Sequence, residues 1–127
     1  MSKLKFELEF PIHASPKMLY QYFATPSGLS EWFADNVNSR GVLFTFIWDG
    51  TEEVAKLLQN KNEERVRFKW EEDDSQEGYF EFRIQIDGIT KDVSLIVTDF
   101  ADDEDDMEES KLLWENQINE LKHVIGA

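Results

Sequence analysis

The alternation of apolar and polar residues is the feature of this sequence that most restricts its fold. Between residues 42 and 97, apolar side chains occupy every second position in successive short segments. A period of two is typical of strands with one buried face and one solvated face. Turn signals such as Asp49-Gly50 and Asp87-Gly88 separate these segments at intervals too short for crossover helices. The segments are therefore predicted to be antiparallel neighbours in one sheet.

The same pattern places the individual strands. A first strand is predicted at residues 4–10, where it ends before Pro11. A turn is predicted at residues 60–63 and a polar loop at residues 73–78, and about seven strands are expected in total. The later strands that the alternation locates directly are at residues 42–48, 54–58, 66–70, 80–86 and 93–97. Polar residues between the apolar ones are expected on the solvated face: Glu81, Arg83, Gln85, Ser94 and Thr98.

Two short helices are predicted between the first and second groups of strands. Ser15-Pro16 combines a helix-capping hydroxyl with a proline at the first helical position, where the missing N–H costs nothing. Pro26-Ser27-Gly28 interrupts the helical pattern and a second short helix follows it. The apolar residues of the two helical faces are Met18, Leu19, Tyr22 and Phe23 in the first, and Leu29, Trp32 and Phe33 in the second.

A long C-terminal helix completes the predicted fold. It is expected to start near Asp105, to end at Gly126 and to measure about 30 Å. Its apolar stripe must pack against another apolar surface, and the apolar face of the sheet is the one large surface that can provide it. We therefore predict a single α+β domain over residues 1–127, a curved antiparallel sheet wrapped around this helix, in the order β-α-α-β-β-β-β-β-β-α. The stripe comprises Trp114, Ile118, Leu121 and Ile125.

Composition narrows the possible functions. The net charge of −14, from 27 acidic and 13 basic residues, argues against nucleic-acid binding because the basic residues are scattered. No apolar run reaches the roughly 18 residues of a membrane span, and the N-terminal segment lacks a secretory apolar stretch, so a cytoplasmic protein is expected. Cysteine is absent, which excludes disulfides and thiolate chemistry. No cofactor is indicated, and a monomer or weak dimer is expected.

Several short motifs resemble those of a known family. Tyr22-Phe23-Ala24-Thr25-Pro26, followed by Leu29 and Trp32-Phe33-Ala34, is similar to a signature of the START-like superfamily, also called SRPBCC or helix-grip. The branch with this signature is related to the activator of the ninety-kilodalton heat-shock chaperone ATPase. Phe44-Thr45-Phe46, Phe68-Lys69-Trp70 and Leu113-Trp114 resemble further motifs of that branch. Leu113 stands where the branch usually has glycine, Phe33 replaces its second tryptophan, and only one glycine precedes Val42.

The resemblance implies a cavity between sheet and helix, which relatives use for apolar ligands, whereas the chaperone activators bind a protein surface. The leading hypothesis is a noncatalytic domain that binds a small hydrophobic molecule there. The alternative is a protein-interaction module that regulates a chaperone or other ATPase. Twelve residues are candidates to line the cavity, and each could instead be an ordinary residue of the hydrophobic core. They are Leu29, Trp32, Phe33, Phe44, Phe46, Trp48, Phe68, Trp70, Phe80, Phe82, Trp114 and Ile118.

Catalytic and metal sites are poorly supported by the sequence. His13 and His123 lie in no motif, and an enzyme would need at least two converging ionisable groups, which the sequence does not provide in an obvious pair. The strand faces predicted to be dry show no convincing polar set. The acidic run at residues 99–109 lacks the spacing of a calcium loop, so we interpret it as a solvated segment that starts the last helix. No catalytic or metal-binding residue is predicted.

Overall fold

The structure, a computed structural model, describes residues 3–126 and contains one antiparallel sheet with three helices. Within this part of the chain the sheet has seven strands, and the α+β order predicted from the sequence is confirmed. The elements are β1 (Leu4–Pro11), α1 (Pro16–Ala24), α2 (Pro26–Trp32), β2 (Asn36–Arg40), β3 (Leu43–Trp48), β4 (Thr51–Lys61), β5 (Arg65–Trp70), β6 (Phe80–Ile86), β7 (Val93–Ala101) and α3 (Glu104–Ile125).

The strand order in the sheet is β1-β7-β6-β5-β4-β3-β2. The first strand therefore pairs with the last, and every other pair is a neighbour in sequence. All three helices lie against this sheet: α3 packs on β1, β7 and α2, and α1 packs on β5 and β6. The inner face is thus shared between the two short helices and the long one, rather than covered by α3 alone.

The helix ends form where the sequence places capping residues. The Ser15 hydroxyl accepts a hydrogen bond from the Met18 N–H, which confirms the predicted start of α1. At the α1–α2 corner a Cβ on Gly28 would lie 2.0 Å from the Gln21 carbonyl oxygen, so this close crossing requires glycine. α3 starts at Glu104, one residue before the predicted start, and its last residue is Ile125, followed by Gly126 as the C-cap with a φ of 75°.

Strand boundaries differ from the predictions most in β4 and β7, and the alternation did not locate β2. Asp49 and Gly50 both have positive φ, as the predicted primed turn requires. However, β4 continues through Lys61, so the turn predicted at residues 60–63 begins later than expected. The apolar alternation stops after Leu58, but a register shift between Leu57 and Gln59 lets the polar end of the strand keep pairing with β5. The ladder of backbone hydrogen bonds, rather than apolar burial, sets this boundary.

Closely packed aromatic rings fill the centre of the fold. Phe68 and Phe80 stack with their ring centroids 5.2 Å apart, and Phe23 stacks on Phe82 at 5.5 Å. Phe46 meets Phe68 edge to face at 6.0 Å. Offset-stacked and edge-to-face pairs of this kind are the favoured aromatic geometries. The rings under the middle of the sheet therefore fill one another's space.

The outer face of the sheet is less solvated than predicted. Glu81 and Thr98, both expected to face water, are only 5% and 1% exposed. The Glu81 carboxylate accepts hydrogen bonds from Nε and Nη2 of Arg67, each at 2.7 Å, and the Arg67 guanidinium lies 4.0 Å from the centroid of the Tyr79 ring. Tyr79 in turn packs edge to face on Phe100. Long side chains from neighbouring strands cover these residues, so the prediction of a solvated position was wrong for Glu81 and Thr98.

Candidate functional site

A cleft of about 200 Å³ opens between the inner face of the sheet and the first half of α3. Because neighbouring strands are antiparallel, β3, β5 and β7 all run in the same direction. Their C-terminal ends therefore lie at the same end of the sheet. Inward side chains near the ends of these strands therefore come together under the helix. The cleft is lined by Phe33, Trp48, Trp70, Asp99, Ser110, Leu113, Trp114 and Gln117.

Four aromatic residues form the apolar walls of this cleft. Phe33 stacks on Trp114 at 5.7 Å and meets Trp48 edge to face at 5.4 Å. Trp48 also stacks on Phe46 of the core, and Trp70 stacks on Phe80 with centroids 4.8 Å apart. Each tryptophan at the ends of β3 and β5 is therefore supported by a buried ring while it remains partly exposed. The core holds these walls in position.

Hydrogen bonds fix the polar atoms around the cleft. The Phe33 carbonyl oxygen accepts from the indole Nε1 of Trp48 at 2.8 Å and from the amide Nε2 of Gln117 at 3.3 Å. The indole Nε1 of Trp114 donates to Oδ2 of Asp99 at 2.9 Å. The cleft therefore has oriented side chains on α3, on β3 and on β7.

Asp99 lies on the inner face of β7, directly opposite Phe6 of β1, which is buried. Burial raises the pKa of the Asp99 carboxyl from 3.8 to about 6, although the hydrogen bonds from Trp114 and from the Phe100 backbone N–H act in the opposite direction. Two expectations are thereby corrected. Asp99 does not belong to the solvated acidic segment, and the inner face does contain an ionisable group.

The sequence did contain the signal that locates Asp99. The inward alternation of Val93, Leu95 and Val97 continues by one further step to Asp99 and then to Ala101, which is buried. The strand prediction ended at residue 97, so Asp99 was grouped with the charges that follow. Asp103 and Asp106 do behave as predicted, since Asp103 caps α3 by accepting a hydrogen bond from the Asp106 N–H.

The structure divides the twelve candidate lining residues into two groups. Four of them line the cleft, namely Phe33, Trp48, Trp70 and Trp114. The other eight pack in the hydrophobic core: Leu29, Trp32, Phe44, Phe46, Phe68, Phe80, Phe82 and Ile118. Four lining residues were not among the candidates, and three of these lie on α3. Leu113 lies three residues after Ser110 and four before Gln117, a spacing that places these three side chains on one helix face.

Few of the residues that line the cleft can take part in acid–base chemistry. Of its lining residues, Asp99 is the one acid or base, so proton transfer between two protein groups has no second partner there. Among residues 3–126, no cluster of three or more histidine, aspartate or glutamate side chains is placed to hold a metal ion. In the same part of the chain, no helix has the length and apolar character required to span a membrane.

Comparison with known families and structures gives a consistent result. The family model of the START-like superfamily domain matches residues 1–127. The solution structure of the Bacteroides fragilis protein BfR322 is 32% identical, with 97% of this chain and 91% of that chain covered and a TM-score of 0.69. None of the functionally curated proteins is significantly similar in sequence.

More distant structures share the fold. The Aha1 dimer from Colwellia psychrerythraea is 18% identical, with 96% of this chain and 94% of that chain covered and a TM-score of 0.72. The Cytophaga hutchinsonii protein ChR145 is 15% identical, with 99% and 97% covered and a TM-score of 0.76. At these identities the likeness concerns the fold alone.

Proposed function

We propose that this chain, which belongs to the START-like superfamily, is a noncatalytic domain that binds a small hydrophobic molecule in the cleft under α3. The observation that carries the proposal is the set of four aromatic walls around an open space of about 200 Å³. Apolar cavities of about 150 Å³ are known to bind benzene. The cleft therefore suits a small ring compound, since larger ligands generally occupy pockets of roughly 300–1,000 Å³.

The proposal of a noncatalytic role follows from the polar groups in the cleft. Asp99 is the single ionisable group among the described lining residues, and its carboxylate accepts hydrogen bonds from the Trp114 indole and the Phe100 backbone N–H. Ser110 and Gln117 add hydrogen-bonding capacity, and the hydrogen bonds of Asp99 are with Trp114 and Phe100 rather than with the Ser110 hydroxyl, which is therefore not activated as a nucleophile. Such an arrangement supports orientation of a ligand rather than its conversion.

The test is a screen of small ring compounds against the isotope-labelled full chain by NMR. The indole N–H signals of Trp48 and Trp114 are expected to shift on binding. The indole of Trp32 serves as an internal reference, since it donates to the Tyr22 carbonyl oxygen and does not line the cleft. If no compound shifts the two cleft signals at millimolar concentration, the proposal is wrong.

A pair of variants locates the binding site on α3. Ser110→Phe places a ring in the cleft and is expected to abolish binding. Leu112→Phe is the matched control, because Leu112 is 62% exposed on the same helix and does not line the cleft. Equal binding by both variants would show that the compounds bind elsewhere.

A protein-interaction role is the second candidate function. Leu112 and Leu113 are adjacent on α3 and more than 60% exposed, so they form an apolar surface beside the acidic start of the helix. The test is the ATPase rate of a ninety-kilodalton heat-shock chaperone with and without the chain. Stimulation that Leu112→Asp abolishes would favour this function, and an unchanged ATPase rate would exclude regulation of this chaperone.

We also propose that the chain is a monomer or a weak dimer. The outer strands β1 and β2 each pair on one side only within the described sheet, so their free edges allow weak association. Sedimentation velocity over a hundredfold range of protein concentration measures this directly. A stable dimer at the lowest concentration would contradict the proposal.

A further inference from the structure

Carboxylates surround the aromatic cleft on both sides. A neighbouring groove of about 480 Å³ shares Phe33 and Trp48 with the cleft and contains Glu31, Asp35 and Glu120. Another groove, of about 230 Å³, shares Trp70 and contains Glu53, Glu72 and Asp73. Among residues 3–126, neither the cleft nor these two grooves is lined by a lysine or an arginine.

Most of these negative charges have no basic partner close by. Asp73 is the exception, since its carboxylate oxygens lie 3.5 Å from Nζ of Lys3 and 3.6 Å from Nζ of Lys69. In the part of the chain that the structure describes, no ion pair involves Asp99 or the other carboxylates of the two grooves. Together with the net charge of −14, they give the entrance of the cleft a negative potential.

From this arrangement we propose that the ligand of the cleft is a small organic cation, an ammonium group carried on an apolar ring. The inference rests on the proposed function and specifies the chemical class of its ligand. Aromatic faces attract cations within about 6 Å of the ring centre, and tryptophan does so most strongly. Three of the four aromatic walls are tryptophan: Trp48, Trp70 and Trp114.

Asp99 supplies the opposite charge inside the cleft. One of its carboxylate oxygens accepts a hydrogen bond from Trp114 and the other accepts one from the Phe100 backbone N–H. A carboxylate has about four acceptor positions, so each oxygen retains a lone pair for a ligand. A partly buried carboxylate without a cationic partner is costly, and an ammonium group in the cleft would compensate it.

The acidity of Asp99 makes the binding depend on pH. Burial raises its pKa to about 6, so the carboxyl is ionised above this pH and largely neutral below it. The charged groups that act on it from neighbouring elements are Lys3, just before β1, which favours ionisation, and Asp106 on α3, which opposes it. An amine ligand remains protonated throughout this range, so its affinity is expected to fall as the pH decreases from 7 to 5.

The test uses three probes that share one ring: benzylamine, benzyl alcohol and benzoate. Each is titrated into the full chain at pH 7.5 while the indole signals of Trp48 and Trp114 are followed by NMR. Benzylamine is expected to bind about tenfold more tightly than benzyl alcohol, and benzoate more weakly than either. If benzyl alcohol binds as tightly as benzylamine, the inference is wrong and the proposed function stands. If none of the probes shifts these signals, the inference is wrong, and the wider screen of ring compounds decides the proposed function.

A charge-neutral variant tests the role of Asp99. Asp99→Asn preserves the shape of the side chain and an oxygen acceptor for Trp114, but removes the charge. It is expected to weaken benzylamine binding about tenfold, to weaken benzyl alcohol binding much less and to abolish the pH dependence. Glu108→Gln is the control, because Glu108 is exposed on α3 and outside the cleft. Retained preference for benzylamine in Asp99→Asn would overturn the inference.

Discussion

The two faces of the sheet provide contrasting environments for a carboxylate. On the outer face, Glu81 of β6 is buried but receives two hydrogen bonds from the Arg67 guanidinium. On the inner face, Asp99 of the neighbouring β7 receives hydrogen bonds from neutral N–H groups only. A compensated charge fits a structural role, while an uncompensated one costs stability. We interpret this difference as a structural role for the outer face and, in line with the proposed function, a ligand-binding role for the cleft.

The largest expected change in the free energy of unfolding comes from removing one partner of the Arg67–Glu81 ion pair on the outer face. Arg67→Ala leaves the Glu81 carboxylate covered and without its partner, so the free energy of unfolding should fall by about 2–4 kcal/mol. Urea denaturation at pH 7.5 measures this loss. Lys56→Ala, which removes an exposed cation from β4, should change stability by less than about 0.5 kcal/mol. Equal losses of stability for the two variants would show that the Arg67–Glu81 pair contributes no more than an exposed cation, and the contrast between the two faces would not hold.

Neutralising Asp99 on the inner face should increase the stability of the fold, whereas Arg67→Ala should decrease it. Because the folded-state pKa of Asp99 is raised from 3.8 to about 6, its ionisation at neutral pH destabilises the fold. Asp99→Asn should therefore raise the free energy of unfolding at pH 7.5 by about 1–3 kcal/mol. This gain should shrink as the pH falls through about 6 and vanish below about 4, where the carboxyl is protonated in both the folded and the unfolded protein. Urea denaturation at both pH values checks the sign, and destabilisation at pH 7.5 would contradict it.

A smaller effect should follow from removing the indole donor to Asp99. In Trp114→Phe the ring remains but its N–H is lost, so the ionised carboxylate loses a hydrogen bond. The pKa of Asp99 should rise further, by about one pH unit, as measured by carbon-13 NMR of the carboxyl group. Trp32→Phe is the matched control, because its indole bonds the Tyr22 carbonyl oxygen instead. An unchanged titration in Trp114→Phe would mean that this bond does not stabilise the charge.

The smallest effect on stability is expected at the edge of the cleft. Leu113 is 63% exposed, so Leu113→Ser should change the free energy of unfolding by less than about 0.5 kcal/mol. Because Leu113 lines the cleft, the variant should still weaken the binding of ring compounds, measured by NMR titration. Leu112→Ser should affect neither quantity. Equal weakening by the two variants would count against the cleft as the binding site.

The fold was predictable because its determinants are local and periodic. The alternation around Phe44, Phe68 and Phe82 identifies inward positions without knowledge of the partner strand. Solvation of the other face was not predictable in the same way. Glu81 is covered because Arg67 of a neighbouring strand extends across it and lies against the Tyr79 ring, and this arrangement depends on register. An alternating pattern specifies which face a residue is on, but not how much water reaches that face.

The cleft was only partly predictable for a related reason. Trp48 and Phe46 are both inward positions of the same strand, yet Phe46 is fully buried and Trp48 borders open space. What separates them is distance from the end of the strand and the position of α3 above it. Asp99 was missed because its charge made it look like part of the acidic segment that follows. Its environment is set by pairing with β1, which composition does not reveal.

The Phe33 carbonyl oxygen has a consequence for how quickly a ligand associates. Because Trp48 of β3 and Gln117 of α3 both donate to this oxygen, moving the helix away from the sheet breaks an interaction anchored at the end of α2. The aromatic walls of the cleft are thus preorganised, so little conformational entropy should be lost when the proposed ligand binds. Association should therefore follow simple one-step kinetics, limited by diffusion to the entrance rather than by rearrangement of the protein.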